Sequence, residues 1–116
     1  MAARSVRKQI RGSLLQQLAE RLGLRDPSQL KQERPELYDQ VESYMLFYDR
    51  RRELTAYVTN KGVDDPSDRV EVGSKAYLES TKELRMIAQE MRNALARLKL
   101  DPPEEGGGAG GQFLPL

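Results

Sequence analysis

The stretch SKAYLESTKELRMIAQEMRNALARLKL, residues 74–100, decides the fold. Within it Tyr77, Leu84, Met91 and Leu98 recur every seven residues, with Ile87 and Ala94 between them. Thr81, Ala88 and Leu95 lie beside that seam, so the apolar stripe is broader than the seam of a two-stranded coiled coil. Gly73-Ser74 is a good start for this helix, and Pro102-Pro103 ends it. A second long helical segment precedes it, from about Pro35 to Lys61, and Asn60-Lys61-Gly62 closes that one. Leu37, Val41, Tyr44 and Tyr48 fall on one of its faces, while Met45, Leu46 and Phe47 point to the others. A helix that is apolar on several sides must be buried on several sides. At 116 residues the chain is too small to do that alone, so the pattern predicts assembly with copies of itself.

Composition narrows the function classes. There is no cysteine, which excludes disulfide stapling and thiolate metal sites, and there is no histidine or tryptophan. No run approaches the roughly 18 apolar residues of a membrane-spanning helix, and the basic N-terminus leads into no uninterrupted apolar stretch of a secretory signal. The expected location is the cytosol. The net charge of +1 hides an asymmetry. Residues 1–34 carry eight Lys/Arg against three acids, and the remainder carries 11 against 15. That polarity points to a polyanion touching one end of the molecule.

Three regions follow from the pattern. In residues 1–34, Val6, Ile10, Leu14, Leu18 and Leu22 form one helical stripe over about Ser5 to Leu22, with Arg7, Lys8 and Arg11 lying off it. Gly23 ends that helix, and Asp26-Pro27-Ser28 starts a short turn that buries Leu30. Residues 35–100 form the two long helices, joined by the loop Asp64-Asp65-Pro66-Ser67-Asp68 and a brief extended piece at Val70-Glu71-Val72. Residues 101–116 read as a flexible Pro/Gly-rich tail ending in Phe113-Leu114-Pro115-Leu116.

The stretch from Tyr44-Met45-Leu46-Phe47-Tyr48-Asp49-Arg50 through Gly62-Val63, followed by the helix from Lys75 to Leu100, resembles the small terminase subunit of tailed bacteriophages. The shared pattern is an aromatic-rich "YMxxYD"-like helix, a helix end at "xxGV", and a variable acidic or glycine-rich loop. A second helix then ends in Leu-x-Leu-x-Pro, here Leu98-Lys99-Leu100-Asp101-Pro102. The Leu14-Leu15-Gln16-Gln17-Leu18 helix fits as well, and the likeness covers about residues 13–103. Lys99 departs from it, standing where many relatives have glycine. The resemblance implies an all-α fold, a long antiparallel helical hairpin behind a short N-terminal helical region, assembling into a homo-oligomeric ring. It also implies binding of double-stranded viral DNA, recruitment and regulation of a large terminase subunit with ATPase and nuclease activities, and a home in the host cytoplasm.

Candidate residues follow from both readings. Arg4, Arg7, Lys8, Arg11 and Arg21 are the candidate phosphate contacts, against the alternative of a solvated helix end. Val41, Tyr44, Phe47, Tyr48, Leu84, Ile87, Met91 and Leu95 are the candidate oligomerisation residues. Phe113, Leu114 and Leu116 form a candidate docking peptide, for which the resemblance implies the large subunit as receptor, against the alternative of an unconstrained C-terminus. Arg50-Arg51-Arg52 spread over about 200° of a helix and cannot form one patch; ion pairs between subunits suit them better. The aromatics at helical spacing read as packing rather than base stacking. The aspartates of the loop have no calcium-loop spacing, and the glycines after Glu105 lack the lysine of a phosphate-binding loop. Nothing in the chain forms a nucleophile-base pair, so no catalytic residue, metal or cofactor is expected. Two other readings stay open: a dimeric helical DNA-binding regulator, and a structural phage assembly protein that never touches DNA.

Overall fold

The computed structural model describes residues 2–103, with side chains from residue 6 onward. The described residues have an all-helical fold without a strand: α1 (Ala2–Arg21), α2 (Gln29–Glu33), α3 (Pro35–Val58), a 3₁₀ turn (Pro66–Asp68) and α4 (Lys75–Leu98). α1 begins earlier than the apolar stripe alone suggests, and Phe113, Leu114 and Leu116 lie outside the described residues. No helix among the described residues is long and apolar enough to cross a membrane.

The three long helices end in the same way. At each end one residue turns left-handed, and two backbone hydrogen bonds close back onto the last turn. Gly23 (φ 74°), Asn60 (φ 57°) and Lys99 (φ 56°) take that position. The amide of Gly23 donates to Glu20 O and that of Leu24 to Ala19 O, at 3.2 and 2.8 Å. Asn60 and Lys61 bond to Tyr57 O and Ala56 O, and Lys99 and Leu100 to Ala96 O and Leu95 O. These bonds use carbonyls that a helix end otherwise leaves without a partner. At its other end α4 is capped as expected, Ser74 Oγ accepting from the Tyr77 amide at 3.2 Å.

Two side-chain amides fix the segments that follow the helices. Asn60 donates through Nδ2 to Val70 O and accepts the Val70 amide at 2.6 Å, so it satisfies both backbone polar groups of one residue. This replaces the extended piece anticipated at Val70-Glu71-Val72. Val70's backbone groups meet a side chain instead of a neighbouring strand, and the chain then turns with the Ser74 amide on Glu71 O. Gln17 does the same for Asp101, accepting its amide at 3.0 Å and donating to its carbonyl at 3.4 Å. The tripeptide Asp-Pro-Ser occurs twice and behaves alike both times. Asp26 and Asp65 each accept the amide of the serine two residues on at 2.9 Å, the usual way a short acid starts a tight turn. These bonds from Ser67 hold the Asp65 carboxyl below its ordinary pKa.

The chain forms two compact units. The first comprises residues 2–45 and 94–103. It buries the α1 stripe (Ile10, Leu14, Leu18) and also Leu15 and Ala19, together with Leu30 of α2 and Val41, Tyr44 and Met45 of α3. Full burial of each such leucine or isoleucine contributes about 1.5–3 kcal/mol. The second unit, Leu46–Asn93, buries Tyr48 and Leu54 of α3 and Leu84, Ile87 and Met91 of α4.

The candidate oligomerisation residues are largely covered within one chain. Val41, Tyr44, Tyr48, Leu84, Ile87, Met91 and Leu95 are all at most 8% exposed within a single chain, and Phe47 is half-buried. The strongest apolar stripes are covered by the chain itself, because burial of the nearest apolar face requires no second molecule. Among the described residues, the large apolar side chains left outside are Leu46 (69% exposed), Tyr57 (46%), Val72 (80%), Leu78 (57%) and Met86 (61%). All five belong to the second unit.

Candidate nucleic-acid interface

Lys8 and Arg11 stand three residues apart on α1, which places them side by side on one helix face. α2 brings Lys31 to the same place, because the buried Leu30 beside it fixes how that short helix lies. α3 contributes Tyr38 from its second turn. Lys8, Arg11 and Lys31 line a 390 Å³ cavity of the first unit with Leu15, Pro27 and Tyr38, and no acidic residue lines it. Tyr38 is at the centre of the contacts. The Arg11 guanidinium lies 5.5 Å and the Lys31 ammonium 5.6 Å from its ring centroid, within range of the attraction between a cation and an aromatic face.

The expected phosphate contacts divide when placed on this frame. Arg11 is held within the chain: Nε donates to Glu42 Oε1 and Nη2 to the Tyr38 hydroxyl, both at 2.6 Å. Arg21 is also engaged, since its guanidinium donates to the carbonyls of Leu98 and Lys99 at the C-terminal end of α4. A cation there satisfies free carbonyls and sits at the negative end of the helix dipole, so Arg21 is a cap for α4 rather than an outward phosphate contact. Lys8 is exposed, and Arg7 is half-buried and has an interaction within the chain. Arg4 lies in α1, with its side chain outside the described part. Lys31 and Tyr38 were absent from the candidate contacts. The signal for Lys31 was its place beside the one apolar residue of the short turn, but a period-based reading sees no face in a helix of five residues.

The second unit carries a different surface. Arg50 reaches from α3 to Glu83 of α4, with Nε–Oε2 2.8 Å and Nη2–Oε1 3.3 Å, and to Glu53 at 3.3 Å. The ion pair anticipated between subunits is therefore made inside the chain. The bond to Arg50 and its charge hold Glu83 below the ordinary carboxylate pKa, and Glu83 in turn raises Arg50. Arg51 lies over the Tyr48 ring at 5.4 Å, and Arg52 lines a hollow with Asp49 and Glu53. The three consecutive arginines thus serve three places, as their angular spread requires. Glu79 has Lys75 at 4.0 Å. No group of three or more His, Cys, Asp or Glu suited to a metal ion occurs among the described residues.

No protein-family model, curated protein or solved structure matches the chain.

Proposed function

We propose that the protein is a non-catalytic DNA-binding adaptor, the small subunit of a tailed-phage terminase, which binds double-stranded viral DNA and recruits and regulates the large ATPase-nuclease. The observation that carries the DNA reading is the convergence of Lys8, Arg11 and Lys31 around Tyr38 in the unit that holds the basic N-terminal segment. Phosphate contacts from lysine and arginine give affinity without sequence readout. The short α2 offers no recognition helix for the major groove, so binding is expected to be weakly sequence-selective. The more particular assignment rests on the terminase-like pattern of residues 13–103. It takes α3 and α4 as an antiparallel hairpin and the building element of a homo-oligomeric ring. Leu46, Tyr57, Leu78 and Met86 are the side chains a neighbouring copy would cover.

Native mass spectrometry of the purified protein tests the assembly, and duplex binding at low salt tests the DNA reading. A closed ring of many copies that binds duplex DNA is the expected outcome. A stable dimer that binds DNA would replace the terminase reading with a dimeric regulator, and a ring with no DNA affinity would leave a structural assembly protein. Removal of residues 112–116 is expected to abolish stimulation of the large subunit while leaving DNA binding intact, as measured by ATP hydrolysis of the reconstituted pair.

A further inference from the structure

We infer that the cavity beside Tyr38 is a site for one phosphate group of a nucleic-acid backbone, gripped by the ammonium groups of Lys8 and Lys31. The inference rests on the DNA-binding reading above and adds the place and means by which a phosphate is held. Three cations from two elements line one hollow of 390 Å³. Glu42 neutralises Arg11 at 2.6 Å, yet no ion pair of Lys8 or Lys31 occurs among the described residues. Two positive charges thus face the same cavity without an acid, an arrangement whose mutual repulsion an incoming anion would relieve.

The contacts around Tyr38 make the site more than a scatter of surface lysines. Its hydroxyl and Glu42 together hold the Arg11 guanidinium by Nε and Nη2, which leaves Nη1 without a hydrogen bond among the described residues. Arg11 is thereby a fixed charge at the cavity, with little side-chain freedom left to lose on binding. The ring also attracts the Lys31 ammonium, steadying an exposed side chain that would otherwise sample many rotamers. Leu15 and Pro27 supply apolar surface beside the charges. A phosphodiester with its attached sugar matches that mixture of cations and apolar surface better than a bare inorganic ion.

The test is the salt dependence of duplex binding by the full chain and by a K8Q/K31Q variant, with K61Q/K82Q as a control of equal charge. Each lost phosphate contact lowers the slope of log K against log salt by about 0.9, so K8Q/K31Q is expected to lose up to about 1.8 for every subunit that touches the duplex. K8R/K31R should retain the wild-type slope, and the control should fall short of the effect of K8Q/K31Q. In parallel, inorganic phosphate and a short single-stranded oligonucleotide are titrated while the amide resonances of Lys8, Gly12 and Lys31 are followed. Duplex binding by the wild type with an unchanged slope in K8Q/K31Q would overturn the inference and leave the DNA reading standing. Absence of duplex binding would overturn the DNA reading. The phosphate site would then stand if phosphate or the oligonucleotide shifted those resonances in the wild type and not in K8Q/K31Q, and fall if neither did.

Discussion

Lys99 shows how much one backbone angle decides. At φ 56° it holds the left-handed position that ends α4, where a side chain meets a penalty that glycine escapes. The Lys99 side chain is exposed, so Lys99→Gly removes the penalty and loses little packing. We expect it to stabilise the fold by about 1 kcal/mol, read as a rise of several degrees in melting temperature. Asn60 holds the equivalent position in α3 but has a second task, the two bonds to Val70. Asn60→Gly keeps the backbone angle and deletes only the side-chain amide. Its expected cost is about 1–3 kcal/mol, from two hydrogen bonds of about 0.5–1.5 kcal/mol each, measured by urea denaturation. Asn60-Lys61-Gly62 was legible as a helix end because asparagine and glycine signal a left-handed turn. Lysine carries no such signal, so the turn at Lys99 was visible only through the prolines that follow it.

At the scale of the element, α1 carries an internal glycine whose helical cost is not offset by any close approach. A Cβ built on Gly12 would meet nothing within 4 Å. Gly12→Ala is accordingly expected to stabilise the protein by about 1 kcal/mol, measured by thermal melting. Between α3 and α4 of the second unit, the Arg50–Glu83 pair makes stability depend on pH. The folded pKa of Glu83 is depressed, so its contribution is present above the unfolded value and is lost as pH falls through the folded one. Glu36, lowered chiefly by its bond from Arg34, and Asp65 act in the same direction. Unfolding midpoints should therefore decline as pH drops below the ordinary glutamate pKa of about 4.3. Glu83→Gln should make that decline shallower while lowering the midpoint at neutral pH.

At the scale of the molecule, the prediction of self-assembly now rests on different side chains. Leu46 and Tyr57 are eleven residues apart on α3, which brings them within about 20° of one face. Leu78 and Met86 lie on α4, about 80° apart. If copies of the chain cover these residues, L46E/M86E should lower the native mass without reducing helical circular dichroism. A variant in the covered stripe, such as Ile87→Ala, should instead lower stability by about 2–5 kcal/mol. An unchanged native mass in L46E/M86E would remove these residues from the contact between copies.

By itself the sequence determined the all-helical class, the placing of four helices and the ends marked by Gly23, Asn60 and Ser74. Those features depend on side-chain period and local backbone preference, which short stretches carry in full. It also determined that Arg50, Arg51 and Arg52 could not share a patch, since one helix's geometry was enough. Only the tertiary structure decided which apolar residues stay outside. Periodicity marks an apolar face but does not say whether the same chain or another copy covers it. Tertiary structure likewise moved Arg21 to the end of α4 and brought Lys31 beside Lys8. Each meeting joins residues far apart in the chain, and no local pattern records where a folded chain returns to itself.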